Sequence, residues 1–199
     1  MRYRDAETGL YGYLDSGGNV AIPAKYTSAR AFGDGFAAVA LDGNYALIDK
    51  DGNVIAGYFD SVTATPAGVI VLKDGKYGVY NKDGEVLPVT YDGITANYST
   101  YIIERDGKYG LASLSGEVLI QPQYEEAVSV NEDSGGYGDG GGLTIFYDSE
   151  EQSIIYADVK GATKFTSYRE EYIVYLGFDK YMCVENDSIK ICGDDLSTV

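Results

Sequence analysis

The sequence has no histidine and no tryptophan, and its 199 residues include only two cysteines and two methionines. Histidine is the usual general base of enzymes and the most common transition-metal ligand, so its absence excludes histidine-dependent catalytic triads and zinc sites. Two cysteines say little about the cellular compartment. The sequence therefore predicts no catalytic residue, no metal ligand and no cofactor.

Basic charge and long apolar runs are also scarce. The 15 lysines and arginines face 31 aspartates and glutamates, which gives a net charge of -16. An acidic chain repels phosphate backbones and anionic lipids, so we expect no nucleic-acid partner. No run of about 18 apolar residues exists, and the start, MRYRDAETG, lacks the pattern of a signal peptide. We expect no membrane insertion by this segment, and any export signal or anchor is expected to lie outside it.

The sequence is rich in residues of strands and tight turns, with 26 glycines and 20 tyrosines. Its clearest feature is an internal repeat, because four segments align with one another. The aligned segments are residues 7–26, 42–59, 74–92 and 107–125. Their marker residues, spaced by 34, 32 and 32 positions, are Tyr11, Tyr45, Tyr77 and Tyr109. This spacing predicts a tandem array of β-sheet units.

Each copy is predicted to contain three strands. In the third copy, residues 69–72 lead into an Asp-Gly pair, residues 77–80 form the aromatic strand, and Asp83-Gly84 precedes residues 85–87. Asp-Gly favours two-residue hairpins of the primed type, because both residues tolerate the positive φ that these turns need. A longer connection with a second aromatic residue follows, and we expect that residue to pack between neighbouring copies. The second aromatics are Tyr26, Phe59 with Tyr58, Tyr91 and Tyr124.

Two weaker copies extend the pattern into the last third of the chain, and a glycine-rich stretch, residues 131–142, is predicted to be an inserted loop. We predict an all-β fold of six tandem three-stranded antiparallel meanders in a single domain, residues 1–199. The predicted copies are residues 2–26, 36–60, 69–92, 101–125, 143–166 and 172–192. Closure would hide both ends of the array, which favours a propeller-like ring over an open β-solenoid.

The aligned pattern Gly-x-Tyr-Gly-x-x-Asp-x-x-Gly-x-x-x-Ile-Pro-x-x-Tyr resembles the bacterial WG (or KWG) repeat. The signature Trp-Gly is replaced by Tyr11-Gly12, Tyr77-Gly78 and Tyr109-Gly110, and by Tyr45-Ala46 in the second copy. Tyrosine keeps the planar ring for packing. The resemblance covers residues 7–125. It implies an all-β repeat array, often on bacterial surface or envelope-associated proteins, with no general catalytic activity.

Cys183 and Cys192 form a candidate disulfide. Placing Asp187-Ser188 at the turn that Asp83-Gly84 occupies puts the two cysteines directly opposite each other in the sixth copy. The Cα atoms of such a pair lie about 4.5 Å apart, near the short end of disulfide geometry. A cross-strand disulfide and two free, buried thiols both fit this arrangement.

Three tyrosines lie off the repeat register and are candidates for exposed contacts: Tyr98, Tyr137 and Tyr168. The four marker tyrosines are instead expected to be core rings. Residues 49–53 and 81–85 imitate the opening of a calcium loop, but they lack its distal glutamate and fall where the repeat needs a turn. We interpret both as turns.

These features together predict a non-enzymatic binding or scaffold module that presents protein or glycan contacts, extracellularly or at the bacterial cell surface. The main alternative is a carbohydrate-binding module, because flat aromatic rings also stack on sugars. A carboxylate-dependent hydrolase is a further alternative, given the 31 acidic residues. The sequence predicts neither the identity of the ligand nor the oligomeric state.

Overall fold

The structure is a computed structural model, and contacts between Cα atoms divide it into two compact units, Met1–Tyr91 and Asp92–Val199. The described residues are 1–33, 35–65, 67–97, 99–130, 143–151, 153–157, 160–161, 163–168, 172–177, 180–185 and 188–192. None of these residues is helical, which confirms the all-β prediction.

The first unit contains three antiparallel sheets whose strands follow one another in chain order. Sheet 1 consists of β1 (Arg2–Arg4), β2 (Tyr11–Leu14) and β3 (Val20–Tyr26). Sheet 2 consists of β4 (Ser28–Ala29), β5 (Phe36–Leu41), β6 (Asn44–Asp49) and β7 (Val54–Phe59). Sheet 3 consists of β8 (Ser61–Thr65), β9 (Gly68–Lys73), β10 (Lys76–Asn81) and β11 (Gly84–Tyr91).

The second unit also contains three antiparallel sheets. Sheet 4 consists of β12 (Gly93–Ala96), β13 (Thr100–Arg105), β14 (Lys108–Ser113) and β15 (Val118–Tyr124). Sheet 5 consists of β16 (Glu126–Val130), β17 (Leu143–Asp148), β18 (Ser153–Ala157) and β19 (Thr163–Tyr168). Sheet 6 consists of β20 (Tyr172–Gly177), β21 (Lys180–Glu185) and β22 (Ser188–Cys192).

The prediction of three strands per copy is wrong for sheets 2 to 5, each of which has four. The additional strands are β4, β8, β12 and β16, which lie in segments that the sequence pattern assigns to connections. They are short, and β4, β8 and β12 are built largely from Ser, Thr, Gly and Ala. Such segments show little of the apolar alternation that marks a half-buried strand. Pairing with a neighbouring strand therefore stabilises these segments as strands, although their own residues do not predict one.

The first Asp-Gly pair of the second, third and fourth copies forms the predicted primed hairpin. Asp42, Asp74 and Asp106 have φ values of 52°, 51° and 54°, and the glycine after each of them also has positive φ. Positive φ at both central residues is the defining feature of a type I′ turn. These turns join the two middle strands of sheets 2, 3 and 4 in the predicted register.

The second turn of the first and second copies is longer than the predicted two-residue hairpin. In sheet 2, residues 50–53 connect β6 to β7, and the Asp49 carboxylate accepts hydrogen bonds from the amides of Asp51 (2.9 Å) and Asn53 (2.8 Å). Asp15 binds the amides of Gly17 and Asn19 in the same way. An aspartate that binds its own following loop stabilises a longer turn than a two-residue hairpin.

The glycine of the Tyr-Gly signature permits an irregular pairing of two strands. Tyr11 pairs with Tyr26 and Tyr13 with Ile22, so the last strand of sheet 1 has extra residues between these pairs. A Cβ atom on Gly12 would lie 2.5 Å from the Ile22 carbonyl oxygen. Glycine is thus required here by the close approach of the bulged strand.

The second aromatic of each copy lies on the last strand of its own sheet, directly opposite the marker tyrosine. The pairs are Tyr11 with Tyr26, Tyr45 with Phe59, Tyr77 with Tyr91 and Tyr109 with Tyr124. The marker tyrosines are only half-buried, whereas Tyr26, Phe59 and Tyr91 are almost completely buried. The second aromatic is therefore the deeper core ring in sheets 1 to 3.

Neighbouring sheets share hydrophobic cores within each unit, as the sequence predicts. Tyr26 of sheet 1 packs with Val39 and Ile48 of sheet 2, and Phe59 of sheet 2 packs with Val69 and Val71 of sheet 3. In the second unit, Leu111 and Ile120 of sheet 4 form one cluster with Phe146 of sheet 5. Burial of apolar side chains between sheets stabilises the array, since each sheet alone would expose them.

Candidate functional site

The first unit contains a groove of about 530 Å³ between sheets 2 and 3. It is lined by β7, by the hairpin that joins β9 to β10, and by residues of β10 and β11. Ile55, Ala56 and Gly57 all line it, although consecutive strand residues point to opposite faces. The groove therefore follows the edge of β7 and does not lie under one face of the strand.

Aromatic and aliphatic side chains form the floor of this groove. Phe59 and Tyr80 are in contact, with ring centroids 5.4 Å apart and planes tilted by 54°. Val89 packs against the same cluster. The Tyr80 hydroxyl donates a hydrogen bond to the Glu85 carboxylate at 3.0 Å, and burial together with this carboxylate raises the pKa of Tyr80. The floor offers a fixed apolar surface with one oriented hydroxyl.

Two lysines stand at the rim of the groove. Lys73 and Lys76 are directly opposite each other, on either side of the Asp74-Gly75 turn. Like charges at opposite strand positions are destabilising. The Lys73 side chain is exposed and makes no hydrogen bond or ion pair with any other residue that the structure describes. The rim therefore carries two ammonium groups and one carboxylate, that of Asp74, on a chain with a net charge of -16.

The strand beside the groove, β7, exposes large apolar side chains. Val54 is 63% exposed, Ile55 38% and Tyr58 77%. Tyr58 also has a φ of 65°, a backbone conformation that non-glycine residues rarely adopt. Strained residues of this kind are concentrated at binding and active sites. An exposed, strained aromatic next to a groove is a reason to regard β7 as a contact surface.

An acidic residue follows the second aromatic in three copies and binds the middle hairpin of the next sheet. The Asp60 carboxylate accepts a hydrogen bond from the amide of Asp74 at 2.9 Å, and that of Asp92 accepts one from Asp106 at 2.8 Å. Glu125 accepts one from the amide of Ser149 at 2.9 Å. These carboxylates therefore fix the position of the turns, including the turn that bears Lys73 and Lys76.

Glu125 has a second partner, the ammonium group of Lys108. The Lys108 hydrogen bond and the Ser149 amide lower the pKa of Glu125 to about 2. The same contact raises the pKa of Lys108. Both groups are charged over the physiological pH range, so this pair stabilises sheets 4 and 5 and is not poised to transfer protons.

The candidate contact residues from the sequence are placed as follows. Tyr98 and Tyr137 lie outside the described residues. Tyr168 ends β19, where it pairs with Ser153, so it belongs to a strand of sheet 5 and not to a connection. The role of all three as exposed contacts stays a prediction.

The predicted direct opposition of the two cysteines is wrong. Cys183 pairs with Lys190, and Cys192 pairs with Tyr181. Glu185 pairs with Ser188, just as Asn81 pairs with Gly84 in the third copy, so the register differs by one residue from a hairpin centred on Asp187-Ser188. The cysteines occupy diagonal positions, which lie about 7 to 8 Å apart and exceed the usual disulfide range. The candidate disulfide between them stays a prediction.

The two calcium-like segments are both turns held by their own side chains. Asp49 uses its carboxylate to hold its own turn, and hydrogen bonds from Asn53 lower its pKa. Asn81 likewise binds the amide of Asp83. Among the residues described, no group of three or more acidic or sulfur side chains could hold a metal ion. The interpretation of these segments as turns is confirmed by their hydrogen bonds.

Sequence reasoning missed the groove. One clue to it is nevertheless present in the last strands of the copies. β3, β11 and β15 contain Pro23, Pro88 and Pro122, whereas β7, which borders the groove, contains no proline and no charged residue. The sequence does not predict that Lys73 lies beside β7, because this proximity depends on packing between sheets.

A family model described as "WG containing repeat" matches residues 11–45 and 109–133. This match confirms the resemblance that the Tyr-Gly pattern carries. The two matched regions contain β2 to β6 and β14 to β16, apart from the last residues of β6 and the first residue of β14. No curated protein matches the chain.

Several solved structures are similar to this chain at low identity. A eukaryotic initiation factor is 11% identical with a TM-score of 0.43, and the match covers 100% of this chain and 60% of the other. Kluyveromyces lactis Hsv2p is 8% identical with a TM-score of 0.38, covering 87% of this chain and 63% of the other. A protein of unknown function from Bacteroides caccae is 11% identical with a TM-score of 0.27, covering 96% and 88%. The chain thus spans less than two thirds of the first two proteins, and TM-scores this low support no statement on closure or function.

Proposed function

We propose that the protein is a non-enzymatic binding or scaffold module that presents a contact surface for a protein or a glycan at the bacterial cell surface. The observation that carries this proposal is the groove between sheets 2 and 3, with its aromatic floor, its cationic rim and the exposed strand β7. Binding sites typically combine apolar walls with a few placed polar groups. The surface location is supported by the resemblance to WG repeats.

The chemistry of the turn carboxylates supports binding over catalysis. Asp5, Asp15 and Asp49 each accept hydrogen bonds from their own loops, and these bonds lower the pKa of all three. A general acid at neutral pH needs a raised pKa, which usually comes from burial. These carboxylates are ionised structural acceptors, and no catalytic role is required to explain them.

We also propose that the six sheets close into a propeller-like ring and do not form an open solenoid. The support is the shared core between successive sheets within each unit, because an open stack would leave a large apolar face at each end. Small-angle X-ray scattering tests this. A ring gives a compact, symmetric distribution of interatomic distances, whereas an open stack gives a long tail.

The experiment for the binding proposal is to apply labelled protein to peptide and glycan arrays. Ile55→Asp places a charge at the groove, and Val20→Asp makes the same change at an exposed position of β3 in sheet 1. We expect a ligand whose signal falls in Ile55→Asp and persists in Val20→Asp. Ligands that are insensitive to both variants, or no ligand on either array, would contradict the proposal.

The alternatives from the sequence have their own readouts. A carbohydrate-binding module would give a hit on the glycan array and a rise in melting temperature with that sugar. A hydrolase would release product from glycoside or ester substrates and would lose this activity when one carboxylate is removed. Product release of this kind would replace the binding proposal with an enzymatic one.

A further inference from the structure

The strand β7 differs from the other last strands of the first unit in how its free edge is protected. β7 ends the order β4-β5-β6-β7, so its outer edge has no strand partner among the described residues. Proteins usually protect exposed edges with proline or with charged side chains. Pro23 and Pro88 provide this in β3 and β11, whereas β7 reads Val-Ile-Ala-Gly-Tyr-Phe.

The missing proline accompanies a shorter bulge. Between the pairs Tyr13–Ile22 and Tyr11–Tyr26, the last strand of sheet 1 inserts Pro23, Ala24 and Lys25. Between the corresponding pairs Leu47–Ala56 and Tyr45–Phe59, β7 has only Gly57 and Tyr58, and Gly57 is itself paired with Ala46. β7 thus lacks proline, which cannot donate a backbone hydrogen bond, and it keeps an amide donor at every position.

The side chains along this edge are suited to a strand-like ligand. Val54, Ile55 and Tyr58 are exposed apolar residues on a single short strand. The groove follows the same edge and ends at the lysine pair of the neighbouring hairpin. An added strand would thus gain backbone hydrogen bonds from β7, apolar contacts from its side chains, and a cationic site at one end.

From these features we infer that β7 is a docking edge for an extended peptide segment that carries acidic side chains and adds to sheet 2 as a further strand. Charge complementarity argues for this occupant, because the groove lining holds the ammonium groups of Lys73 and Lys76 against the single carboxylate of Asp74, whereas the chain as a whole is acidic. The inference rests on the proposed binding function and names the class of partner for the same groove.

The test uses fluorescein-labelled peptides of about eight residues, enough to span an ordinary strand. The probe alternates valine and glutamate. One counterpart replaces glutamate by lysine, and another carries N-methyl groups on alternate amides, which blocks strand pairing. Fluorescence anisotropy with the full chain is expected to show binding of the acidic probe, and binding at least about tenfold weaker for each counterpart.

Two protein variants locate the site. Lys73→Glu is expected to weaken binding of the acidic probe by about tenfold or more. Lys82→Glu makes the same charge change at the opposite hairpin of sheet 3, outside the groove lining, and is expected to leave the affinity unchanged. Melting temperatures close to that of the unmodified chain show that both variants are folded.

Several outcomes would overturn the inference. These are equal binding of the acidic and basic peptides, tolerance of N-methylation, or equal affinity in Lys73→Glu. Concentration-dependent dimers that disappear in Ile55→Asp would assign the edge to a second copy of the chain instead. If the acidic probe fails while an array ligand remains sensitive to Ile55→Asp, the binding module stands and only the peptide assignment falls.

Discussion

Ala46 lies directly opposite Gly57 in sheet 2. In sheets 1, 3 and 4 the glycine occupies the other strand, and a Cβ atom there would lie 2.5 Å from Ile22 O at Gly12 and 2.4 Å from Ile120 O at Gly110. A Cβ atom on Gly57 would lie 3.3 Å from the Cβ of Ala46. The close approach of two strands thus requires one glycine, and sheet 2 has it on the opposite strand.

The position of the glycine predicts how much each alanine substitution destabilises the protein. We expect Gly110→Ala to lower the free energy of unfolding by about 1 to 3 kcal/mol, because the added methyl group meets backbone that cannot easily move. Gly57→Ala should cost less, and adding Ala46→Gly should recover part of the loss. Urea denaturation measures all three. A Gly110→Ala variant as stable as the unmodified chain would contradict this account of the signature glycine.

The carboxylate of Asp60 is predicted to hold the hairpin that carries Lys73. Asp60→Ala removes the hydrogen bond to the Asp74 amide and should cost roughly 0.5 to 1.5 kcal/mol. Hydrogen exchange at the Asp74 amide should accelerate most. Asp51→Ala, on an exposed turn of sheet 2, is the matched control. Equal acceleration in both variants would mean that Asp60 has no special role.

Low pH should lower the stability of the second unit, because Glu125 becomes protonated. Its pKa is about 2 in the folded chain against an ordinary value of 4.5, so the stabilisation is complete above pH 4.5 and is lost as the pH falls towards 2. The stability difference between the unmodified chain and Glu125→Gln should therefore shrink across this range. Urea denaturation at several pH values measures it, with Glu7→Gln as the control. A difference that does not change with pH would refute the pairing with Lys108.

High pH should lower the stability of the first unit, because the Tyr13 phenol becomes ionised. Burial chiefly, together with the nearby Tyr26, raises the pKa of Tyr13 to about 12 from an ordinary value of 10.0. The contribution of the neutral phenol is complete below pH 10 and is lost as the pH rises towards 12. Tyr13→Phe loses the hydrogen bond to the Arg30 carbonyl, at a cost of about 1 kcal/mol, but its stability should then fall less steeply with alkali. Absorbance titration of tyrosinate in the two proteins checks this, and identical titration curves would contradict it.

Local chemistry made part of the fold predictable. Asp42, Asp74 and Asp106 form the expected turns because two adjacent residues determine them. The strand Ser61–Thr65 was not predictable, since its small polar residues gain order only from pairing with β9. The cysteine register depended on one turn residue, and a slip of one residue changes every cross-strand pair.

The candidate site was less predictable than the fold. The composition of β7 is readable from the sequence, but its exposed edge becomes a groove only because the β9–β10 hairpin of sheet 3 lies beside it. Packing between sheets brings Ile55 and Lys73 to one surface, although they are separated along the chain and share no motif. The hydrogen bond from Asp74 to Asp60 spans a similar separation.

Within each unit, a sheet is stabilised by the core that it shares with its neighbour, and a substitution of Phe59 can show this. This ring belongs to sheet 2 and packs on Val69 and Val71 of sheet 3, so Phe59→Ala should cost about 3 to 5 kcal/mol. Hydrogen exchange should then accelerate in both β6 and β9, while Tyr58→Ala, at the exposed neighbour, should leave both strands protected. Acceleration confined to sheet 2 would show that the sheets are independent and would contradict the account.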